Sequence, residues 1–217
     1  MKTAVITGIK RGIGKALTEK FLDSGYFVIG TSTNGTIPEQ HKNLKVFQLD
    51  LADATSIREC ATQISALGKP IDVLINNAGI WIDDGDVVLR IDKLRKILEV
   101  NLIGTIDFTE QMIPLVADSG HIVNISSKSG SMSAAKTPSH PDYKISKAGL
   151  NMATRIWALR LKDRITVSAV HPGWVKTDLG GPNADMEPAE AAEYILTLAT
   201  AKVETGQFWF KGKKFPW

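Results

Sequence analysis

Short apolar runs rich in β-branched residues alternate with longer stretches of helical period along the whole chain. This alternation restricts the fold more than any other feature. Thr3 to Thr7 reads as a buried strand, and Ile13, Leu17 and Phe21 then recur on one helix face. Tyr26–Ile29 and Val46–Leu49 read as the next two strands. A helix carrying Ile57, Cys60, Ile64 and Leu67 follows and stops at Gly68 and Pro70. The pattern continues as strand Asp72–Ile75, a long helix Leu94–Val116, strand Ile122–Ile125, helix Tyr143–Leu161 and strand Ile165–Val170. Helix Ala189–Ala199 and strand Phe208–Phe210 complete it. Strands joined through helices are parallel, because a crossover returns the chain to the same end of the sheet. The unbroken apolar runs DVLIN and HIVNI fit strands covered on both faces. The expectation is a single doubly wound α/β domain over residues 1–217, with a parallel sheet flanked by helices on both faces.

A chain of 217 residues, 43% of them hydrophobic, can bury a full core without disulfides or metals. Its one cysteine, Cys60, excludes a disulfide framework and reads as a buried thiol in an amphipathic helix. Of the four histidines, His41, His121, His140 and His171, none stands at metal-ligand spacing from another, so no metal is expected. A net charge of +3 without long blocks of one sign gives no ground for nucleic-acid binding. Lys211, Lys213 and Lys214 read as a solvated tail. No apolar stretch is long enough to span a membrane and no signal peptide opens the sequence, so a cytoplasmic protein is expected.

Between the first strand and the first helix lies Thr7-Gly8-Ile9-Lys10-Arg11-Gly12-Ile13-Gly14. Glycines at such a turn let the backbone approach a pyrophosphate, which then rests on the helix N-terminus. The spacing Gly-x3-Gly-x-Gly differs from the commoner Gly-x-Gly-x-x-Gly fingerprint, but the position is that of a Rossmann-type dinucleotide site. NAD-preferring folds place a carboxylate after the second strand, on the ribose 2′-hydroxyl. Here that segment is Gly30-Thr31-Ser32-Thr33-Asn34, without an acid. Arg11, with Lys10 and the Thr33 hydroxyl, is placed to meet a 2′-phosphate instead, which favours NADP(H).

Tyr143 and Lys147 stand at i and i+4, on one helix face. A phenol ordinarily ionises near pH 10, and an ammonium neighbour favours the phenolate. Taken alone, such a pair is ordinarily a surface contact. It is accompanied by Asn76-Asn77-Ala78-Gly79 after a strand and by Asn101-Leu102-Ile103-Gly104 in the long helix. Ser126-Ser127-Lys128-Ser129-Gly130 follows another strand, and Pro172-Gly173-Trp174-Val175-Lys176-Thr177-Asp178 comes later. In this order the set resembles the short-chain dehydrogenase/reductase family over essentially the whole chain. The short carboxyl-terminal part, with the run WVKTDLGGPNA, is similar to the small carbonyl-reductase branch that includes the sniffer and C-factor proteins.

The resemblance implies a role for each matched residue. Tyr143 is the acid/base, and Lys147 holds the nicotinamide ribose and lowers the phenol pKa. Ser127 hydrogen-bonds the substrate carbonyl, and Asn101 holds a water in the proton relay. Asn77, with Ala78 and Gly79, lies beside the adenosine ribose, while Asn76 ties the sheet together. Asp50 and Leu51 contact the adenine, and the backbone of Val175, after Pro172 and Gly173, meets the carboxamide near Thr177. Together with Gly8, Lys10, Arg11, Gly12, Ile13, Gly14 and Thr33, these residues define the expected cofactor site. His171, just before Pro172, reads as structural.

Two departures concern the substrate side. The stretch between Ser127 and Tyr143 is longer than is usual in the family, through the loop Ala134-Ala135-Lys136-Thr137-Pro138-Ser139-His140-Pro141. The segment Leu179–Pro188 is short, so an open mouth accepting varied carbonyls is expected. The leading reading is an NADPH-dependent reductase of small carbonyl compounds, or an alcohol dehydrogenase in the reverse sense. The alternative is a non-catalytic NADP-sensing or signalling protein; intact Asn101, Ser127, Tyr143 and Lys147 argue against it. A homodimer is expected, with Met112, Leu115, Met152, Ile156 and Trp157 available to line its face, although packing on the sheet explains these residues equally well.

Overall fold

The computed structural model describes residues 1–82, 85 and 87–217. Its strands are β1 (Thr3–Ile6), β2 (Phe27–Ser32), β3 (Leu44–Gln48), β4 (Ile71–Asn76), β5 (Val116–Ile125), β6 (Thr166–Val170), β7 (Gln207–Phe210) and β8 (Lys213–Lys214). The α-helices are α1 (Gly12–Asp23), α2 (Ala54–Ser65), α3 (Ile91–Leu98), α4 (Thr105–Met112), α5 (Pro141–Arg160) and α6 (Pro188–Thr200). One sheet runs in the order β3-β2-β1-β4-β5-β6-β7-β8. Every neighbouring pair is parallel except β7 with β8.

Alternate strand residues feed two separate cores, as a pleat requires. Val5, Ile29, Leu74, Ile122 and Val167 pack with Ile57, Phe108, Leu150 and Trp157 from α2, α4 and α5. Ala4, Ile6, Val28, Val73, Ile75 and Val123 pack on the other face with Leu17 and Phe21 of α1 and Ile195 of α6. Local chemistry sets several helix starts. Asp53 accepts a hydrogen bond from the Thr55 amide at the head of α2 (2.8 Å), and prolines open α5 and α6, where a missing N–H costs nothing.

The structure differs from expectation in the extent of some elements and separates the residues offered for a dimer face. The helix read as Leu94–Val116 is three pieces, α3, a π-helical turn Glu99–Gly104 and α4, followed by a 3-10 turn Ile113–Leu115. Val116 belongs to β5, whose register shifts opposite Ile71 and Val73. Gly104 explains the close packing of the π turn: a methyl there would stand 1.8 Å from the Leu51 carbonyl oxygen. The lysines read as a tail form a hairpin with an antiparallel edge strand, so the sheet is not wholly parallel. Lys211 and Gly212 both have positive φ (47° and 74°), as a two-residue hairpin turn demands. Lys211 pairs with Glu190 and Lys214 with Glu204. Finally, Met112 and Trp157 are core residues, whereas Met152 and Ile156 are 62% and 55% exposed.

Candidate active site

The strand order reverses between β1 and β4, and the crevice outside their carboxyl ends is the favoured ligand position in an open α/β sheet. A cleft of ≈ 530 Å³ opens there. Gly8, Lys10, Arg11, Gly12, Ile13 and Gly14 line one end, with Thr33, Asp50, Leu51, Asn77, Ala78 and Gly79 beside them. Tyr143, Lys147, Pro172 and Thr177 line another part of the wall. Nearly every expected cofactor residue therefore faces one cavity.

The glycine turn is a tight cradle. A methyl at Gly14 would come within 2.2 Å of the Gly8 carbonyl oxygen and 2.5 Å of Asn77 Nδ2. The cradle is held from β4, because Asn77 Nδ2 donates to the carbonyls of Thr7 (2.8 Å) and Gly8 (3.2 Å). The amides of Asn77 and Ala78 in turn donate to the Thr7 hydroxyl (3.0 and 2.9 Å). Among the described residues no side chain caps the first turn of α1, so its amides face the cleft with their partial positive charge. A small, donor-rich concavity of this kind fits a pyrophosphate. Arg11 does not hang free: its guanidinium pairs with Asp178 across the mouth at 3.0 Å, both side chains being well exposed.

Gly173 and Val175 do not line the cavity. Gly173 sits against Met186 and Phe210. Val175 is buried and forms a parallel bridge with Met186, made by the peptide groups of Trp174 and Lys176. A bridge made by the flanking residues turns the Val175 amide away from Met186.

At the far end, β5 and α5 bring Ser127, Tyr143 and Lys147 together. Tyr143 is 6% exposed and its phenol is pushed up to about 12 by burial, with the nearby Ser127 hydroxyl pulling the other way. Ser127 also accepts the Ser129 amide at 3.1 Å. Lys147 Nζ donates to the Ile125 carbonyl at 2.8 Å, and burial lowers its pKa to about 8. Burial is thus the larger influence on the phenol and favours its protonated form. Asn101 lies in the π turn, buried behind the cavity wall rather than on it. Its Oδ1 accepts the Ile80 amide (2.7 Å), while Nδ2 donates to the Ile80 carbonyl (2.9 Å) and the Ser146 hydroxyl (3.3 Å). Asn101 therefore clamps the loop after β4 to α5. Asn76 bridges α4 and β5 through Thr109 (2.9 Å) and Asn124 (2.7 Å).

The model of the family described as short chain dehydrogenase matches residues 2–188. The chain belongs to the short-chain dehydrogenase family. C-signal of Myxococcus xanthus is 32% identical over 157 residues, covering 68% of this short-chain dehydrogenase and 93% of that protein. The carbonyl reductase Sniffer of D. melanogaster superposes with a TM-score of 0.90 at 26% identity, covering all of both chains. An NADPH-bound carbonyl reductase from chicken fatty liver gives 0.91 at 27% identity, covering 100% of this chain and 99% of that one. The likeness to the small carbonyl-reductase branch holds.

Sequence reasoning missed part of the cleft of this short-chain dehydrogenase. Ile80, Trp81, Val100, Ile125, Ser126, Asp178 and Leu179 also line it. Trp81 matters most, since its ring lies 4.8 Å from that of Tyr143 and 4.6 Å from that of His140. Its indole N–H has no hydrogen-bond partner among the described residues. Position directly after Asn76-Asn77-Ala78-Gly79-Ile80 was the available signal. His171, read as structural, is stacked on Phe210 with centroids 4.7 Å apart.

Proposed function

We propose that this protein is an NADPH-dependent reductase of small carbonyl compounds, with residues 1–217 acting as one cofactor-binding unit and Tyr143 as proton donor. The observation that carries the reading is a buried phenol, Tyr143, lining with Lys147 the same cleft as a glycine cradle at a helix N-terminus. The NADPH-bound relative, 27% identical over the full length of this chain, supports the choice of cofactor.

In this reading Gly8, Gly12, Ile13 and Gly14 hold the pyrophosphate, and Arg11 leaves Asp178 to meet the 2′-phosphate with Lys10 and Thr33. Asp50 and Leu51 border the adenine, and Asn77, Ala78 and Gly79 its ribose. Pro172, Gly173, Val175 and Thr177 support the nicotinamide end, and Lys147 holds the adjoining ribose. When bound, NADPH supplies a hydride to the carbonyl carbon. Negative charge then grows on the carbonyl oxygen, where the hydroxyls of Ser127 and Tyr143 donate hydrogen bonds and Tyr143 gives up its proton. A phenol pushed up to about 12 enters this step with its proton in place across the neutral range. Asn101 keeps the Ile80 loop in position beside it.

The test is NADPH oxidation across aldehydes, ketones and diketones, with Tyr143→Phe alongside the native protein. Tyr143→Phe keeps the ring and should lower kcat by about 10²–10⁴, the usual worth of a positioned general acid, with NADPH affinity nearly unchanged. Near-full turnover in this variant would show that Tyr143 is not the acid. Tight NADPH binding without turnover of any carbonyl would instead favour the sensor.

A further inference from the structure

We propose that the buried ion pair between Lys93 and Asp142 is a positioning device that fixes where α5 begins and hence where Tyr143 stands. This rests on the reading of Tyr143 as proton donor. Lys93 Nζ lies 3.1 Å from Asp142 Oδ2, and the two side chains are only 8% and 4% exposed. The other carboxylate oxygen, Asp142 Oδ1, accepts the backbone N–H of Tyr143 itself at 2.8 Å. One carboxylate thus grips both the neighbouring helix and the amide of the proposed acid.

The need for such a grip is visible at the helix start. His140, at the N-cap, is left-handed (φ 52°), and Pro141 has no N–H. Asp142 brings a side-chain acceptor to an amide of the first turn. Lys93 comes from α3, which runs directly into the π turn holding Asn101. The pair thus links the segment carrying Asn101 to the helix carrying Tyr143 and Lys147. Stability alone gives little reason to bury two charges, since apolar residues of similar volume commonly serve as well or better. A charged pair adds directionality: Oδ1 takes the Tyr143 amide while Oδ2, with no hydrogen-bond partner of its own among the described residues, stands at ion-pair distance from Lys93, and both hold at one register only.

The test uses full-length Lys93→Met/Asp142→Asn, Lys93→Arg, Asp142→Glu and Tyr143→Phe, assayed with NADPH and 4-nitrobenzaldehyde. NADPH titration, thermal melting and hydrogen exchange at the Tyr143 amide are measured in parallel. Misplacing a reacting group by about 1 Å can cost on the order of a hundredfold, so the neutral double variant should lose about tenfold to a hundredfold in kcat. Its NADPH affinity and melting temperature should stay near those of the native protein, with faster exchange at the Tyr143 amide. Lys93→Arg, which keeps the pair, should retain most of kcat. Asp142→Glu, which moves the carboxylate by one methylene, should lose kcat while remaining folded. Native kcat in the folded double variant, or in Asp142→Glu if the double variant does not fold, overturns the proposal. So does a joint fall of kcat, cofactor affinity and melting temperature, or failure of both variants to fold, because the pair is then an element of stability. Loss of turnover in Tyr143→Phe beside native turnover in the pair variants removes the positioning role alone. Retained turnover in Tyr143→Phe removes the proton-donor reading as well.

Discussion

At the scale of single residues, desolvation decides more of the chemistry than neighbouring charge does. Tyr143 moves up to about 12 and Lys147 down to about 8, both through burial. His121 and His171 are likewise pushed down to about 4, chiefly by burial. In the unfolded chain these imidazoles take up protons near pH 6.5, whereas the folded protein resists until about pH 4. Their contribution to stability is therefore complete above about pH 6.5 and is lost as pH falls toward 4, each shift amounting to roughly 3 kcal/mol at ~1.36 kcal/mol per unit. Urea midpoints should fall across that window, and His121→Gln should flatten the fall. An unchanged slope would remove His121 from the account. Arg11 poses a different balance. Its exposed pair with Asp178 is worth at most about 1 kcal/mol, whereas a charge-assisted bond to phosphate is worth about 1.5–3 kcal/mol. The phosphate should win. Arg11→Gln should weaken NADPH about tenfold to a hundredfold more than NADH. Equal losses by titration would remove the assignment.

At the scale of elements, close backbone approaches shape the site. Gly104 lets the π turn touch Leu51, and Gly14 lets α1 touch Gly8. Gly14→Ala forces a methyl against backbone, which cannot swing aside as a side chain can. Overpacking of this kind costs about 1–3 kcal/mol, and here the strain falls on the cradle. The variant should melt several degrees lower and lose NADPH binding, read by calorimetry and fluorescence titration. Native NADPH affinity would mean that the cradle is not where the pyrophosphate rests. The alternation of strands and helices was legible because burial on two faces writes a period into sequence. The break in the long helix was not, since a π turn differs from an α turn by one residue and neither a proline nor a side-chain cap marks its start. β8 was hidden for a related reason: Lys213 and Lys214 carry no strand-like pattern, and their pairing depends on Trp209 and Phe210 opposite them.

At the scale of the molecule, one face remains apolar and uncovered. Ile145, Met152, Ile156 and Leu159 of α5, with Ile103 of the π turn, are between 41% and 68% exposed. Two helices presenting such a stripe suit a symmetric contact with a second copy. The native protein should elute as a dimer on size exclusion and Met152→Glu/Ile156→Glu as a folded monomer. Monomeric elution of the native protein at high concentration would remove the dimer.

The sequence by itself determined the parallel α/β layering, the glycine cradle and most of the cleft's lining. These depend on residue type and local spacing: Gly8 to Gly14 form one turn, and Tyr143 and Lys147 one helix face. Tertiary structure decided how those groups behave. It set Arg11 against Asp178, tied Asn101 to Ile80, joined Lys93 to Asp142 and laid Trp81 beside Tyr143. It also buried the Tyr143 phenol, which raises its pKa. Contacts between distant segments and the extent of desolvation leave no period in a sequence, because both arise only when separate elements pack against one another.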